Sequence, residues 1–211
     1  MSRSISPAEV VPRFFGIVPA AGRSRRMGKP KLLLDWKGRP LVEHILEQWR
    51  GSRVALVVVV IHPDDHALAE HCRRAGAEVV APDNPPPDMK SSVGHALDWI
   101  RANASPRAVD AWMVAPADMP RLSAALIDRV ITTYRPDLPQ IILPASGGRT
   151  GHPVLFPWPH AAEVSQLGSD EGLNALVARS AVKEISWEDP TAFVDIDHPE
   201  DYEKLIEEET D

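Results

Sequence analysis

"VALVVVVI", residues 54–61, is apolar at every position and rich in β-branched side chains. A strand with one wet face alternates polar and apolar residues. One that is apolar throughout is covered on both faces, as in parallel sheets flanked by helices. At eight residues the run is also far too short to cross a bilayer. Upstream, Phe14–Ala20 reads as an earlier strand. Between the two, Pro40–Arg50 reads as a helix: Pro40 suits a first turn, Leu41, Ile45, Leu46 and Trp49 share a face, and Gly51 can end it.

Downstream the alternation continues. A helix is predicted over Pro63–Ala75, closing at Gly76, then a short strand over Ala77–Ala81. "PDNPPPDMKS" (82–91) is a loop, because its prolines neither donate to a ladder nor continue a helix. Val93, Ala96, Leu97 and Ile100 form the next helical face, "VDAWMVAPAD" (109–118) a strand running into a loop, and Leu126, Ile127, Val130, Ile131 and Tyr134 another helical face. Strand "QIILPA", a glycine-rich turn "SGGRTG", strand "HPVLF", a helix near Glu171–Arg179, strands "VKEISW" and "AFVDID" (192–197) and a helix from Pro199 complete the chain. This order predicts an α/β, three-layer, Rossmann-like architecture around a mostly parallel sheet. In such sheets ligands sit beyond the carboxyl ends of strands, so functional residues belong in the loops that follow them. At 211 residues we expect one domain over 14–208, with 1–13 as a flexible N-terminal extension.

The formal net charge of −7 argues against nucleic acid or an anionic membrane as a partner. Cys72 is the one cysteine, so no internal disulfide can form, and its helical context reads as a buried thiol. "MSRSISPAEVVPR" has no apolar core of a secretory leader, and a cytoplasmic location is expected.

Against that acidic background, Gly22–Lys31 ("GRSRRMGKPK") carries five positive charges directly after the first strand: Arg23, Arg25, Arg26, Lys29 and Lys31. Gly22 and Gly28 permit close backbone approach, and exposed N–H groups in such a turn form an anion-binding concavity. The spacing is neither that of a P-loop nor G-x-G-x-x-G. A solvated basic turn and an anion site are equally good readings of this stretch alone. Asp118, just past a buried strand, suits Mg2+, whose hard charge favours carboxylate oxygen, or else caps the turn before Leu122. On a strand, Asp195 and Asp197 would face one side, where an inward carboxylate needs a cation or donors. Asp201 reads as a charge favourable to a helix N-terminus. His152, after Gly147, Gly148 and Gly151, reads first as a structural hydrogen-bonder. A polycation and separate carboxylates on one side of a sheet suit transfer chemistry on a nucleoside triphosphate.

The loops also resemble those of the MobA-like nucleotidyltransferases, and most closely the molybdenum cofactor cytidylyltransferase branch. That signature, A-A-G-x-S-x-R-M-G-x-x-K, reads here as Ala20-Ala21-Gly22-Arg23-Ser24-Arg25-Arg26-Met27-Gly28-Lys29-Pro30-Lys31. "DNPPPDMKSSV", "ADMP", "GHPVLF" and "VDIDHPEDY" are similar to further family segments in the same order, over roughly residues 14 to 206. Asp88 stands where the family usually has glycine, an extra acid expected near the base or ribose.

The resemblance implies the nucleotide-diphospho-sugar transferase fold. It also implies Mg2+-dependent transfer of a nucleoside monophosphate, CMP from CTP given the double alanine, to a phosphomonoester such as molybdopterin, with pyrophosphate released. It makes Arg26 and Lys31 catalytic, and places Ala20, Ala21, Gly22, Arg23, Ser24, Ser92 and Asp118 at the nucleotide. Asp118 and Asp197 would hold Mg2+, with Gly151 and His152 on the acceptor side. A molybdoenzyme or its maturation chaperone would be a protein partner. The alternatives are the same chemistry on a sugar phosphate or other small phosphate, and a non-catalytic nucleotide-binding maturation partner.

Overall fold

A computed structural model describes residues 11–24 and 27–209. Residues 1–10 of the expected extension, and Arg25 and Arg26, lie outside the described residues. The first strand, β1, is Phe14–Ala20. A short hairpin of β2 (Asp35–Trp36) and β3 (Arg39–Pro40) leads into α1 (Leu41–Arg50). Then come β4 (Leu56–Ile61), α2 (His66–Arg74), β5 (Glu78–Val80), α3 (Met89–Ala104), β6 (Ala111–Val114) and α4 (Ala124–Thr133). The second half holds β7 (Ile141–Ser146), β8 (Arg149–Thr150), β9 (Val154–Pro157), α5 (Ala161–Val164), α6 (Leu173–Arg179), β10 (Val182–Ser186) and α7 (Pro199–Glu208).

The central sheet runs β10-β7-β9-β6-β1-β4-β5, with β8 paired to β7. β5, β4, β1 and β6 are mutually parallel, as are β7 and β10. β9 runs antiparallel to both β6 and β7. The expected double-sided burial is present in the central strands β1 and β4. Phe14 and Val18 of β1, and Val57, Val59 and Ile61 of β4, enter one core with Leu41, Ile45 and Trp49 of α1. Phe15 and Ile17, with Val58 and Val60, enter the other with Val93, Ala96 and Leu97 of α3. Cys72 is buried in the first core, where desolvation pushes its thiol up to about 12. Among the described residues, no helix is long and apolar enough to cross a membrane.

The expected strand over 192–197 does not form. Asp189 caps a 3-10 turn over Pro190–Phe193, and residues 194–197 pair with no strand of the sheet. Ile196 N instead donates to Asp118 O at 3.0 Å. Without a pleat, Asp195 and Asp197 do not share a face: Asp195 is exposed, while Asp197 lines a cavity.

At the opposite end of the sheet, Asp110 is fully buried before β6. Its carboxylate accepts from the backbone N–H and the guanidinium of both Arg13 and Arg107. Burial alone would raise this carboxyl, but the Arg107 and Arg13 bonds outweigh it and bring it down to about 2 from 3.8. A carboxyl depressed by folding stabilises above its unfolded pKa, and that contribution, about 2 kcal/mol, is lost as pH falls towards 2. Chemical denaturation from pH 5 to 2 should therefore show a steeper stability loss for the wild type than for Asp110→Asn.

Candidate active site

Three hollows lie among the loops that follow the parallel strands. The first, about 320 Å³, is lined by Ala20, Gly22, Ser24, Lys31, Asp118 and Asp197, among others. β1 runs three residues past its register with the end of β6, since Ile17 pairs Val114, and Ala115 N still donates to Ile17 O. The loop after β6 therefore rises beside Ala20 and delivers Asp118. Ser24 sits in the left-handed region (φ 47°). Its carbonyl accepts from Met27 N at 3.0 Å and its hydroxyl from Lys31 N at 3.4 Å. Such backbone in a non-glycine residue persists only where its surroundings hold it, and here both ends of the loop do.

Lys31 opens a 3-10 turn and points into this hollow. Its ammonium donates to Asp118 Oδ2 at 2.5 Å and to Ile196 O at 2.9 Å, and lies 3.5 Å from Asp197 Oδ1. Lys31 and Asp118 side chains are only 16% and 18% exposed. Asp118 does not cap α4; Ser123 does. Asp118 Oδ1 is buried and has no hydrogen-bond partner among the described residues. A desolvated carboxylate oxygen left unpaired is costly, and a cation is the partner that relieves it. Among the described residues no group of three or more His, Cys, Asp and Glu could by itself hold a metal. Two carboxylates beside an anion cradle suit Mg2+, which takes one or two protein carboxylates and completes its shell with phosphate and water oxygens.

The second hollow, about 300 Å³, shares Gly22, Ser24, Lys31 and Leu32 with the first but faces the β4–α2 turn. Arg23 turns here, its guanidinium against His62 Nε2 at 2.9 Å and Asp64 Oδ2 at 3.3 Å. It is thus drawn away from the carboxylates. Sequence reasoning passed over His62, although a histidine directly after an all-apolar strand is the kind of residue to weigh.

The third hollow, about 450 Å³, has an apolar floor including Val114, Phe156 and Val177, and a rim including Asp88, His152 and Glu171. Asp88, expected near the base or ribose, is the N-cap of α3: its carboxylate accepts from Ser91 N at 2.7 Å, a bond that holds its pKa down. Ser92 is buried inside the first turn, its hydroxyl donating to Asp88 O, and lines none of the three hollows. His152 Nδ1–H donates to Val114 O at 3.1 Å. Burial lowers its pKa, opposed by that bond and by the charges of Asp118 and Asp195.

Gly151 packs under Phe193: a Cβ there would lie 2.3 Å from the ring. Gly151→Ala must displace the aromatic ring that precedes the Asp197 segment. A loss of about 1–3 kcal/mol, as for other overpacked sites, is expected in thermal or denaturant melts.

Residues 16–185 match the family model described as the MobA-like NTP transferase domain. The molybdenum cofactor guanylyltransferase of Xanthomonas euvesicatoria pv. vesicatoria is 35% identical over 55% of this chain, which spans about half (52%) of that relative. The 2-C-methyl-D-erythritol 4-phosphate cytidylyltransferase of Dechloromonas aromatica is 36% identical over 79% of this chain and 71% of its own. Nicotine blue oxidoreductase of Paenarthrobacter nicotinovorans is 26% identical over 93% and 98%. In fold, the manganese complex of Rv0371c from Mycobacterium tuberculosis H37Rv superposes with a TM-score of 0.74 at 24% identity, over 92% of this chain and 98% of that one.

Proposed function

Because the chain belongs to the MobA-like NTP transferase family, we propose that it transfers CMP from CTP to the phosphate of molybdopterin, with Mg2+, releasing pyrophosphate. The observation that carries this reading is the Lys31 ammonium between Asp118 and Asp197, beside an unpaired carboxylate oxygen and under the loop after β1. The double alanine, Ala20-Ala21, favours cytidine; a guanylyl-transferring and a cytidylyl-transferring relative both exist at about this distance.

In the reaction, an oxygen of the acceptor phosphate attacks the α-phosphorus as the bond to the α–β bridging oxygen breaks. Pyrophosphate leaves with that electron pair. The acceptor is already an anion, so no general base is required. What the site must supply is positive charge where negative groups converge. The Gly22–Ser24 backbone cradles the phosphates. Lys31 moves from the carboxylates to the transferring phosphate, with Arg26 as the second cation of the loop. Asp118 and Asp197 hold Mg2+, which when bound neutralises phosphate oxygens and fixes the triphosphate for in-line displacement. His152, kept neutral by burial, and Gly151 bound the acceptor side with the apolar third hollow.

Pyrophosphate release with each NTP, Mg2+ and the molybdenum cofactor tests the proposal. Release preferential with CTP is expected; preference for GTP, or none with CTP, overturns the cytidylyl assignment. A second reading keeps the chemistry and exchanges the acceptor for a small sugar or polyol phosphate. The Dechloromonas relative, named for such an acceptor, favours it, and a screen of phosphorylated acceptors separates the two. On the molybdopterin reading, a molybdoenzyme or its chaperone would receive the product.

A further inference from the structure

Asp197 lies in a stretch, Val194–His198, that belongs to no helix or strand. A side chain on irregular backbone is aimed by whatever fixes the backbone beneath it. Among the described residues, the attachments nearest Asp197 are three. Ile196 N is held by Asp118 O at 3.0 Å, and Ile196 O accepts from Lys31 Nζ. The third is Asp201, in the first turn of α7. One of its oxygens, Oδ2, accepts from Asp197 N at 3.0 Å and from His198 N at 2.7 Å. These bonds close a capping box with His198, and they hold the Asp201 carboxyl below the usual carboxylate range.

We propose that Asp201 is a positioning residue for the metal: by gripping the Asp197 and His198 amides it sets the direction in which Asp197 enters the cavity. The inference rests on the reading of Asp118 and Asp197 as metal-holding carboxylates. Groups behind metal ligands commonly matter 10–100-fold in affinity, because a ligand that wanders must be ordered again on binding. The charge of Asp201 also suits the α7 N-terminus, and the two roles separate cleanly. Both amide bonds go to a single oxygen. An asparagine whose carbonyl oxygen takes that place keeps both bonds and loses the charge.

The experiment is Mn2+ affinity, read by water-proton relaxation, on the full chain with CTP and separately with GTP. Asp201→Ala should weaken Mn2+ binding about tenfold or more, and Asp201→Asn should remain within about threefold of wild type. Ser123→Ala, which removes the N-cap of α4 away from the cavity, should leave Mn2+ affinity unchanged while costing comparable stability. Wild-type affinity in Asp201→Ala overturns the inference while leaving the metal reading intact. Equal loss in Asp201→Ala and Asp201→Asn assigns the effect to charge and also overturns it. Failure of the wild type to bind Mn2+ with either nucleotide overturns the metal reading and the inference together.

Discussion

Lys31→Ala should lower kcat by about 10²–10³-fold, the range for removing one preorganised charge from a transition state. It should also raise Mn2+ affinity in the absence of nucleotide. The two effects have opposite signs for one reason. The ammonium sits 2.5 Å from Asp118 and 3.5 Å from Asp197, the two carboxylates that would hold the metal. Removing it deletes a competitor for the metal and a donor for the triphosphate at once. The chain should stay folded, because Lys31 belongs to neither hydrophobic core. Single-turnover kinetics with CTP and relaxation titration of Mn2+ alone read the two arms. Unchanged turnover would remove Lys31 from the mechanism; unchanged Mn2+ affinity would show that ammonium and metal do not share a place.

The two-sided burial of "VALVVVVI" was legible because it depends on local composition, and the alternating partners of Val57, Val58, Val59 and Val60 bear it out. Gly22, Ser24, Lys31 and Asp118 were legible as loop residues after strands, and they line one cavity with Asp197, which had been expected on a strand. What local pattern could not show was competition for bonds. "AFVDID" has the period of a strand, but the Ile196 N–H is taken by the carbonyl of Asp118 in the loop after β6, and no strand pairs with it. Asp88 looked like a free acid near a ligand, yet the nearest unpaired donors were those of its own helix. Arg23 was expected at the nucleotide, and nothing in its local sequence shows that His62, thirty-nine residues on, contacts its guanidinium. The carbonyl of Ile196, which completes the Lys31 site, has no sequence signal at all, since a main-chain acceptor is anonymous. Arg26 lies outside the described residues, so its role rests on the family signature.

Asp118→Asn should cost about 10³-fold or more in turnover, equivalent to about 4 kcal/mol, the scale at which a metal stabilises transferring charge. Its melting temperature should stay within a few degrees of wild type. The amide oxygen can still accept from Lys31, and the amide nitrogen takes the place of an oxygen that was already unpaired, so one buried unsatisfied atom replaces another. A carboxylate kept in such a position at no benefit to the fold is where stability has been given up for function. The double variant Lys31→Ala/Asp118→Asn makes the sharper measurement. Independent contributions would multiply to about 10⁵-fold or beyond, as free energies add for groups that do not share a task. Lys31 and Asp118 touch in the resting site, and in the proposed mechanism both would act on the same triphosphate, one directly and one through the metal. The double variant should therefore be little worse than Asp118→Asn alone, as for catalytic groups that work as a unit. A full product of the two single effects would show that the ion pair seen here is incidental to the reaction.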